Sequence, residues 1–204
     1  MTNAPTLDLE LELKNKGYRY IIGVDEVGRG PLMGPVVAAA VHIPDGFDIS
    51  EIKDSKKLSS KKRRLFYNVI VKECSYTVAS VDEKMIDAIN IREATKLAMR
   101  NAIIHHFEAD FALVDGNFLP DLINIPAQAV VKGDNLSASI AAASIVAKVE
   151  RDSLVEALHT FHPVYNWKSN KGYGTREHRE AIKLYGITPY HRKSFSGVKE
   201  HVLC

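Results

Sequence analysis

Five short apolar segments constrain the fold of this chain more than any other feature of its sequence. They are residues 19–24, 34–44, 75–81, 110–116 and 126–131. Each has the length and the glycine or proline boundaries that are typical of β-strands. The first three, in close succession with short links, predict an antiparallel meander, whereas helical segments separate the others. We therefore expect an α/β fold with a mixed five-stranded sheet flanked by helices.

Helical periodicity fills most of the remaining sequence. Apolar residues recur at helical spacing from 82 to 107, although Asn90 interrupts the pattern. Residues 137–159 form a nearly all-apolar helix, and the chain from about residue 160 is expected to be a C-terminal helical segment. Since no repeat or low-complexity linker divides the sequence, we expect residues 1–204 to form a single domain.

The composition is that of a globular protein. With 204 residues and 46% hydrophobic content the chain is long enough to bury a core. No apolar run approaches the roughly 18–20 residues that a membrane helix needs, and the acidic, polar N-terminus does not resemble a signal peptide. Cys74 and Cys204 form no CxxC motif, so neither a disulfide framework nor a zinc site is indicated. We expect a cytoplasmic protein that does not associate with membranes.

Basic residues are concentrated in two parts of the sequence. The net charge of +2 does not by itself indicate a nucleic-acid-binding protein. However, residues 53–64 contain seven Lys or Arg, and residues 167–179 combine basic residues with Trp167 and Tyr173. Either run alone is typical of a solvated surface. The two together favour contact with phosphate groups.

Acidic residues follow three of the five predicted strands. Asp25 and Glu26 follow the first, Asp115 the fourth and Asp134 the fifth. Acids at one strand end often mark only a turn. However, ligand sites of open α/β sheets form beyond the carboxyl ends of strands, so the four acids would meet if these strands were neighbours.

Four converging carboxylates indicate a site for divalent cations. Two carboxylates about 4 Å apart repel by about 4 kcal/mol at an effective dielectric constant near 20, which a cation relieves. A ligand set made only of oxygens favours Mg²⁺ or Mn²⁺ over zinc. The chemistry implied is phosphoryl transfer. The neighbouring glycines in GRGPLMG do not match the dinucleotide-binding pattern GxGxxG.

Six motifs in order resemble the bacterial ribonuclease HII family. They are GVDEVGRGPLMGPVVAAAV, KDSKKLS, VDGN, KGDNLSASIAAASIVAKVERD, GYGT and HRKSF, between residues 23 and 195. The resemblance implies a ribonuclease H-like fold and a metal-dependent endonuclease that cuts the RNA strand of RNA–DNA hybrids. It also implies incision of duplex DNA at single embedded ribonucleotides by two-metal-ion hydrolysis, which leaves 3′-hydroxyl and 5′-phosphate ends, and a role in ribonucleotide removal.

The resemblance also assigns roles to individual residues. Catalytic and metal-binding roles are implied for Asp25, Glu26, Asp115 and Asp134, a 2′-hydroxyl-sensing turn for Gly28, Arg29 and Gly30, and a substrate-stacking ring for Tyr173. The turn has a physical rationale, because main-chain groups can reach a 2′-hydroxyl only where no side chain stands in the way. Arg29 would hold the adjacent phosphate through its planar fork of donors.

Several alternatives stay open at this level. The chain could be a non-catalytic module that binds hybrids through its basic runs. A ribonuclease HIII type would normally carry an extra N-terminal domain, for which residues 1–18 leave no room. Ser137, Ser144 and Lys148 fall on one helical stripe that either lines the site or faces solvent. Asp152 is expected to be a surface ion-pair partner, and His178 a structural histidine. We expect a monomer.

Overall fold

A mixed five-stranded sheet forms the centre of the protein. The computed structural model describes residues 4–52 and 59–202. The strands are β1 (Ile21–Val27), β2 (Val36–His42), β3 (Ser75–Val81), β4 (Phe111–Asp115) and β5 (Ala127–Val130). Their order in the sheet is β3-β2-β1-β4-β5. The pairs β1–β2 and β2–β3 are antiparallel, whereas β4 is parallel to both β1 and β5, which confirms the mixed five-stranded sheet.

Helices surround this sheet. They are α1 (Asp8–Asn15), α2 (Ser60–Glu73), α3 (Glu83–Ile104), α4 (Ala138–Phe161), α5 (Trp167–Asn170) and α6 (Arg176–Tyr185). Short 3₁₀ turns cover Ile49–Glu51, Gly133–Asn135, Pro163–Tyr165 and Lys199–His201. Within the described ranges, none of these helices has the combination of length and apolar character needed to cross a membrane.

Strand β2 is buried on both of its faces. Ala38 and Ala40 share a core with residues of α3 such as Met99, whereas Ala39 and Val41 share one with α4. Successive side chains of a strand point to opposite faces, so helices on both sides of the sheet require the continuous apolar run that the sequence shows.

The first three strands are antiparallel, but the predicted short links are wrong for the second connection. Helix α2 lies between β2 and β3. The Ser59 hydroxyl caps its first turn by accepting a hydrogen bond from Lys62 N, and Phe66 and Ile70 turn inward against the core. The dense positive charge of this segment concealed an amphipathic helix. Residues 53–58 of the basic run lie outside the described residues.

The interruption expected at Asn90 is present within α3. Asn90 has a φ of 67° and a ψ of 164°, so the helix is kinked there. Its side-chain oxygen accepts hydrogen bonds from Arg92 N at 2.9 Å and Glu93 N at 3.2 Å. Asn90 therefore ends the first part of the helix and caps the second.

An aromatic cluster holds the C-terminal segment together. Trp167 is fully buried and stacks on Tyr165, with ring centroids 5.1 Å apart, so its ring belongs to the core and does not contribute to the phosphate contact that the basic run 167–179 favoured. Trp167 Nε1 donates to His178 Nε2 at 3.0 Å, and His178 Nδ1 bonds the Tyr173 carbonyl at 2.9 Å. Burial lowers the pKa of His178 and lowers that of His191 to about 3, so both rings are neutral structural groups.

Candidate active site

The four acids predicted to converge lie at the same end of the sheet. Strand β4 runs parallel to β1, with Val24 level with Val114, so Asp25 and Asp115 are the next residues on adjacent strands. Strand β5 is the other neighbour of β4, and Asp134 lies in the 3₁₀ turn that follows it. The assumption that strands 1, 4 and 5 are neighbours is therefore confirmed.

Local hydrogen bonds fix the orientation of these acids. Asp25 Oδ1 accepts from Glu26 N at 2.7 Å, and Asp115 Oδ1 accepts from Gly133 N at 2.6 Å. Asp134 Oδ1 accepts from the Asn135 side chain at 3.1 Å. The bond from Asp115 to Gly133 ties the end of β4 directly to the turn that carries Asp134.

An open pocket of about 280 Å³ lies beside the acids. Its lining comprises Asp25, Glu26, Val27, Arg63, Asp134, Ser144, Ile145 and Lys148. Acidic and basic side chains thus face the same space, as a site for a cation and a phosphate group requires.

Burial and mutual repulsion destabilise the ionised acids. The pKa of Asp25 is raised well above its usual value, mainly by burial and then by Glu26 and Asp115, with a smaller effect of Asp134. Burial also raises the pKa of Glu26, which Arg29 partly offsets from 3.4 Å. Asp25 is therefore repelled by each of the other three carboxylates, and Glu26 by Asp115.

The donor set fits a hard divalent cation. Among the described residues, no three acidic, histidine or cysteine side chains are already grouped as a finished metal site. A cation that draws the carboxylate oxygens together would relieve their mutual repulsion. Oxygen-only donors suit Mg²⁺ or Mn²⁺.

The glycine turn lies close to Tyr173. A Cβ atom on Gly30 would lie 3.4 Å from the Tyr173 ring, which is 45% exposed. Gly28 has a φ of +94°, and a Cβ atom there would lie 2.2 Å from Arg151 Nε. Glycine is therefore required at position 28, because the backbone is left-handed there and the Arg151 side chain leaves no room for a Cβ atom.

Arg192, which is fully buried, organises this turn. Its guanidinium donates to the carbonyl oxygens of Gly28 at 2.6 Å, Arg29 at 3.0 Å, Pro31 at 2.9 Å and Gly34 at 2.9 Å. Burial, followed by repulsion from Arg151, lowers its pKa to about 9. In the sequence, Arg192 stands out only as part of the HRKSF motif, and no local signal indicates this role.

Arg151 supports the turn from the other side. Also fully buried, it donates to the carbonyl oxygens of Pro35 at 3.0 Å, Met33 at 3.2 Å and Lys171 at 3.1 Å. The role of Arg151 was also not predicted from the sequence. Its burial could have been inferred from helical spacing, because Arg151 lies four residues after Ala147 and four before Val155, on a buried stripe of α4.

The three residues whose roles the sequence did not decide, Ser137, Ser144 and Lys148, do not all face the pocket. Ser144 and Lys148 line the pocket, whereas the buried Ser137 is the N-cap of α4 and accepts from Ile140 N at 3.1 Å. Asp152 is the ion-pair partner expected, at 2.7 Å from Lys148, but both side chains are partly buried rather than on the open surface.

Comparison with known proteins decides the family. The family model described as ribonuclease HII matches residues 22–198. The chain belongs to the ribonuclease HII family. A ribonuclease HII of Caldicellulosiruptor saccharolyticus is 52% identical over 190 residues, which cover 92% of either chain. That of Ruegeria pomeroyi is 48% identical over 195 residues, covering 95% of this chain and 83% of the relative.

Solved structures agree with this assignment. The ribonuclease HII in a complex with PCNA from Archaeoglobus fulgidus is 28% identical, with a TM-score of 0.75 over 87% of this chain and 96% of that one. Bst ribonuclease HIII, solved in complex with Mn²⁺, has a TM-score of 0.73 at 19% identity and covers 89% of this chain and 68% of its own. The second likeness supports the ribonuclease H-like fold alone.

Family membership settles the class of activity. Ribonucleases HII are endoribonucleases of the ribonuclease H type, which act on RNA–DNA hybrids and depend on divalent metal ions. The enzyme interpretation is therefore confirmed over the non-catalytic binding module. Within enzymes, the family model favours ribonuclease HII over the HIII alternative.

The raised pKa of Asp25 predicts how pH affects stability without metal. An unfolded aspartate has a pKa near ~3.9, so above that pH only the native state holds the extra proton, and stability falls as pH rises through the native pKa. We expect Asp25→Asn, which keeps the Oδ1 acceptor for Glu26 N, to melt at a higher temperature than wild type at pH 8 in chelator. The difference should vanish near pH 4. Glu108→Gln, on the surface, is the matched control. A wild type that is the more stable protein at pH 8 would contradict the repulsion.

The Arg192 contacts predict a large loss of stability for a conservative substitution. Lysine has three donors on one nitrogen and cannot reproduce the planar fork that reaches four carbonyls. Since hydrogen bonds to charged groups contribute about 1.5–3 kcal/mol each, we expect Arg192→Lys to lower the free energy of unfolding by about 2–4 kcal/mol. Urea unfolding measures this change. The adjacent exposed variant Lys193→Ala should change it by less than about 0.5 kcal/mol, and equal effects would refute the role of Arg192.

Proposed function

We propose that this chain hydrolyses the RNA strand of RNA–DNA hybrids and incises duplex DNA at single embedded ribonucleotides. Asp25, Glu26, Asp115 and Asp134 would hold the metal ions. The observation that carries this proposal is the placement of the four acids at the same end of the neighbouring strands β1, β4 and β5. The products would have 3′-hydroxyl and 5′-phosphate ends.

The metal site would consist of the carboxylates that now repel one another. Two Mg²⁺ or Mn²⁺ ions bound there would supply the Lewis acidity that activates a water and stabilises the leaving 3′ oxygen. Asp25, which is buried, would serve as a fixed ligand because Glu26 N holds its Oδ1. Asp115 couples this position to the Asp134 turn through Gly133.

The glycine turn would recognise the ribose 2′-hydroxyl. The carbonyl oxygens of Gly28 and Arg29 point inward to Arg192. Because the peptide bonds are trans, the N–H groups of Arg29 and Gly30 point the opposite way, and both residues are exposed. These donors would therefore be available to the hydroxyl that distinguishes RNA from DNA.

Arg29 would exchange its present partner for a substrate phosphate. Its contact with Glu26 is a single one of 3.4 Å, and its side chain is 49% exposed. The Glu26 side chain is 12% exposed, so the long contact with Arg29 compensates part of its buried charge, and Arg29 could leave once a bound cation took over that compensation. A planar guanidinium would then bind a phosphate through two donors.

The N-terminal and C-terminal parts of the chain are joined at the proposed site. We propose that residues 1–204 act as one domain, because the C-terminal segment bonds the glycine turn through Leu32 N and the Gly172 carbonyl at 2.8 Å. A monomer would suffice, since every residue of the proposed site comes from one chain. The role would be ribonucleotide removal during DNA replication and repair in the cytoplasm.

A cleavage assay with amide variants tests the metal site. We expect Asp115→Asn and Asp134→Asn each to lower the cleavage rate at least about 100-fold, since changes to the partners of metal ligands alone cost about 10–100-fold. The substrate is duplex DNA with one ribonucleotide, compared in Mg²⁺, in Mn²⁺ and in chelator. Asp121→Asn, an exposed acid outside the pocket, is the control and should keep wild-type activity. Near-wild-type turnover of either site variant would remove that residue from the site.

Tyr173 should be needed most where an RNA-to-DNA junction must be positioned. Its ring lies beside Gly30 and would stack on the nucleotide that follows the ribonucleotide, a contact of about 1–3 kcal/mol. We expect Tyr173→Ala to lose about 5–150-fold in cleavage at a single ribonucleotide, whereas Tyr173→Phe keeps the ring and loses much less. Tyr185→Ala, another exposed tyrosine, is the control. Equal, wild-type-like rates of Tyr173→Ala on this substrate and on a continuous hybrid would refute junction recognition.

A further inference from the structure

A buried acid outside the proposed metal site holds the start of α4. Glu10, on α1, is only 5% exposed. Its Oε1 accepts hydrogen bonds from Ser137 Oγ at 2.6 Å, Ser139 Oγ at 2.5 Å and Ser139 N at 3.1 Å. Hydrogen bonds that a carboxylate accepts from hydroxyl and amide donors are charge-assisted. The helix dipole also favours a negative charge at the N-terminus of a helix.

The main chain at Thr6 also binds the start of α4. Thr6 N donates to the Leu136 carbonyl at 3.2 Å, and Ala138 N donates to the Thr6 carbonyl at 2.8 Å. These two bonds lie on either side of Ser137. Residues 6–10 therefore hold the first turn of α4 through both backbone and side-chain bonds. They precede residues 22–198, which the family model matches.

Asp134 lies in a turn that is held at both ends. At one end, Gly133 N donates to Asp115. The Gly133 carbonyl then closes the turn by accepting from Leu136 N at 2.9 Å and Ser137 N at 2.8 Å. At the other end, Ser137 is bound to Glu10. The position of Asp134 thus depends on two carboxylates, of which only Asp115 belongs to the proposed metal site.

We propose that Glu10 is a positioning residue that holds Asp134 in place for metal binding. This inference rests on the proposed function, because it assumes that Asp134 is a metal ligand. Mg²⁺ demands nearly ideal octahedral geometry, so a displacement of the turn weakens the contribution of Asp134. The simpler reading is that Glu10 only docks α1 on α4. The two readings differ in one respect, because docking alone predicts lower stability with unchanged metal affinity.

Mn²⁺ affinity in the absence of substrate distinguishes these readings. Isothermal titration of the full chain with Mn²⁺ compares wild type, Glu10→Ala and Glu10→Gln at a temperature where each is folded. Glutamine keeps an oxygen at the Oε1 position, and its amide nitrogen takes the place of Oε2, which has no hydrogen-bond partner in the described part of the chain. Glu12→Ala, an exposed acid on the same helix, is the matched control.

We expect Glu10→Ala to weaken Mn²⁺ binding about tenfold, Glu10→Gln to weaken it less and Glu12→Ala to leave it unchanged. In an Asp134→Asn background, Glu10→Ala should cause no further loss, because its effect acts through Asp134. If Glu10→Ala does not fold, Glu10→Gln and Ser139→Ala, which removes one donor to Glu10, decide the question. Wild-type Mn²⁺ affinity in the folded Glu10 variants, and in Ser139→Ala, would overturn the proposal.

The same titration separates failure of this inference from failure of the proposed function. If Asp134→Asn binds Mn²⁺ as tightly as wild type, then Asp134 is not a ligand, and the assignment of the metal site fails together with the role of Glu10. If Asp134→Asn weakens binding but the Glu10 variants do not, only the positioning role fails. An additive loss in the double variant would also overturn it, because Glu10 would then act independently of Asp134.

Discussion

Two buried guanidinium groups hold the carbonyl oxygens of residues 28–35, and the arrangement of the proposed site depends on this interaction. Burying a charge is costly unless hydrogen bonds replace its hydration. Arg192 and Arg151 meet that condition with seven carbonyl contacts, which join the β1–β2 connection, α4 and the C-terminal segment. Asp87 on α3 extends the network, because its carboxylate accepts from the backbone of the two residues after Arg192.

Burial disfavours the charged form of the acids as it does that of the arginines. The difference lies in the compensation, because carbonyl oxygens of the fold satisfy the arginines, whereas neighbouring acids raise the pKa of Asp25 further. Native proteins keep such unfavourable groups mainly where function requires them. At this end of the sheet the glycine turn is therefore stabilised by hydrogen bonds within the protein. The acids a few residues away repel one another, and a bound cation would relieve that repulsion.

Most of the candidate site could be predicted from the sequence, because acids at strand ends and glycines in a turn can be recognised from the neighbouring residues alone. The five-stranded sheet followed from such local signals, whereas the proximity of Gly30 to Tyr173 is a tertiary contact that only the structure reveals. Glu10 and Arg192 could not be found in this way, because a charged residue is usually exposed and only its tertiary bonds reveal that it is buried. For Arg151 the position on the buried stripe of α4 was the one local signal. Charge density likewise concealed helix α2, and the basic residues around Trp167 concealed its burial in the aromatic cluster.

The bond between Arg192 and the Gly28 carbonyl also has a consequence for folding. These residues are 164 positions apart in the sequence, and Glu10 is 127 positions from Ser137. Contacts of such long range form slowly, because the chain loses the entropy of a large loop before they contribute. A ribosome that releases the chain from its N-terminus exposes the acids of β1 long before Arg192 is made. The nascent chain therefore carries the acids of β1 for most of its synthesis without the bonds that hold the glycine turn.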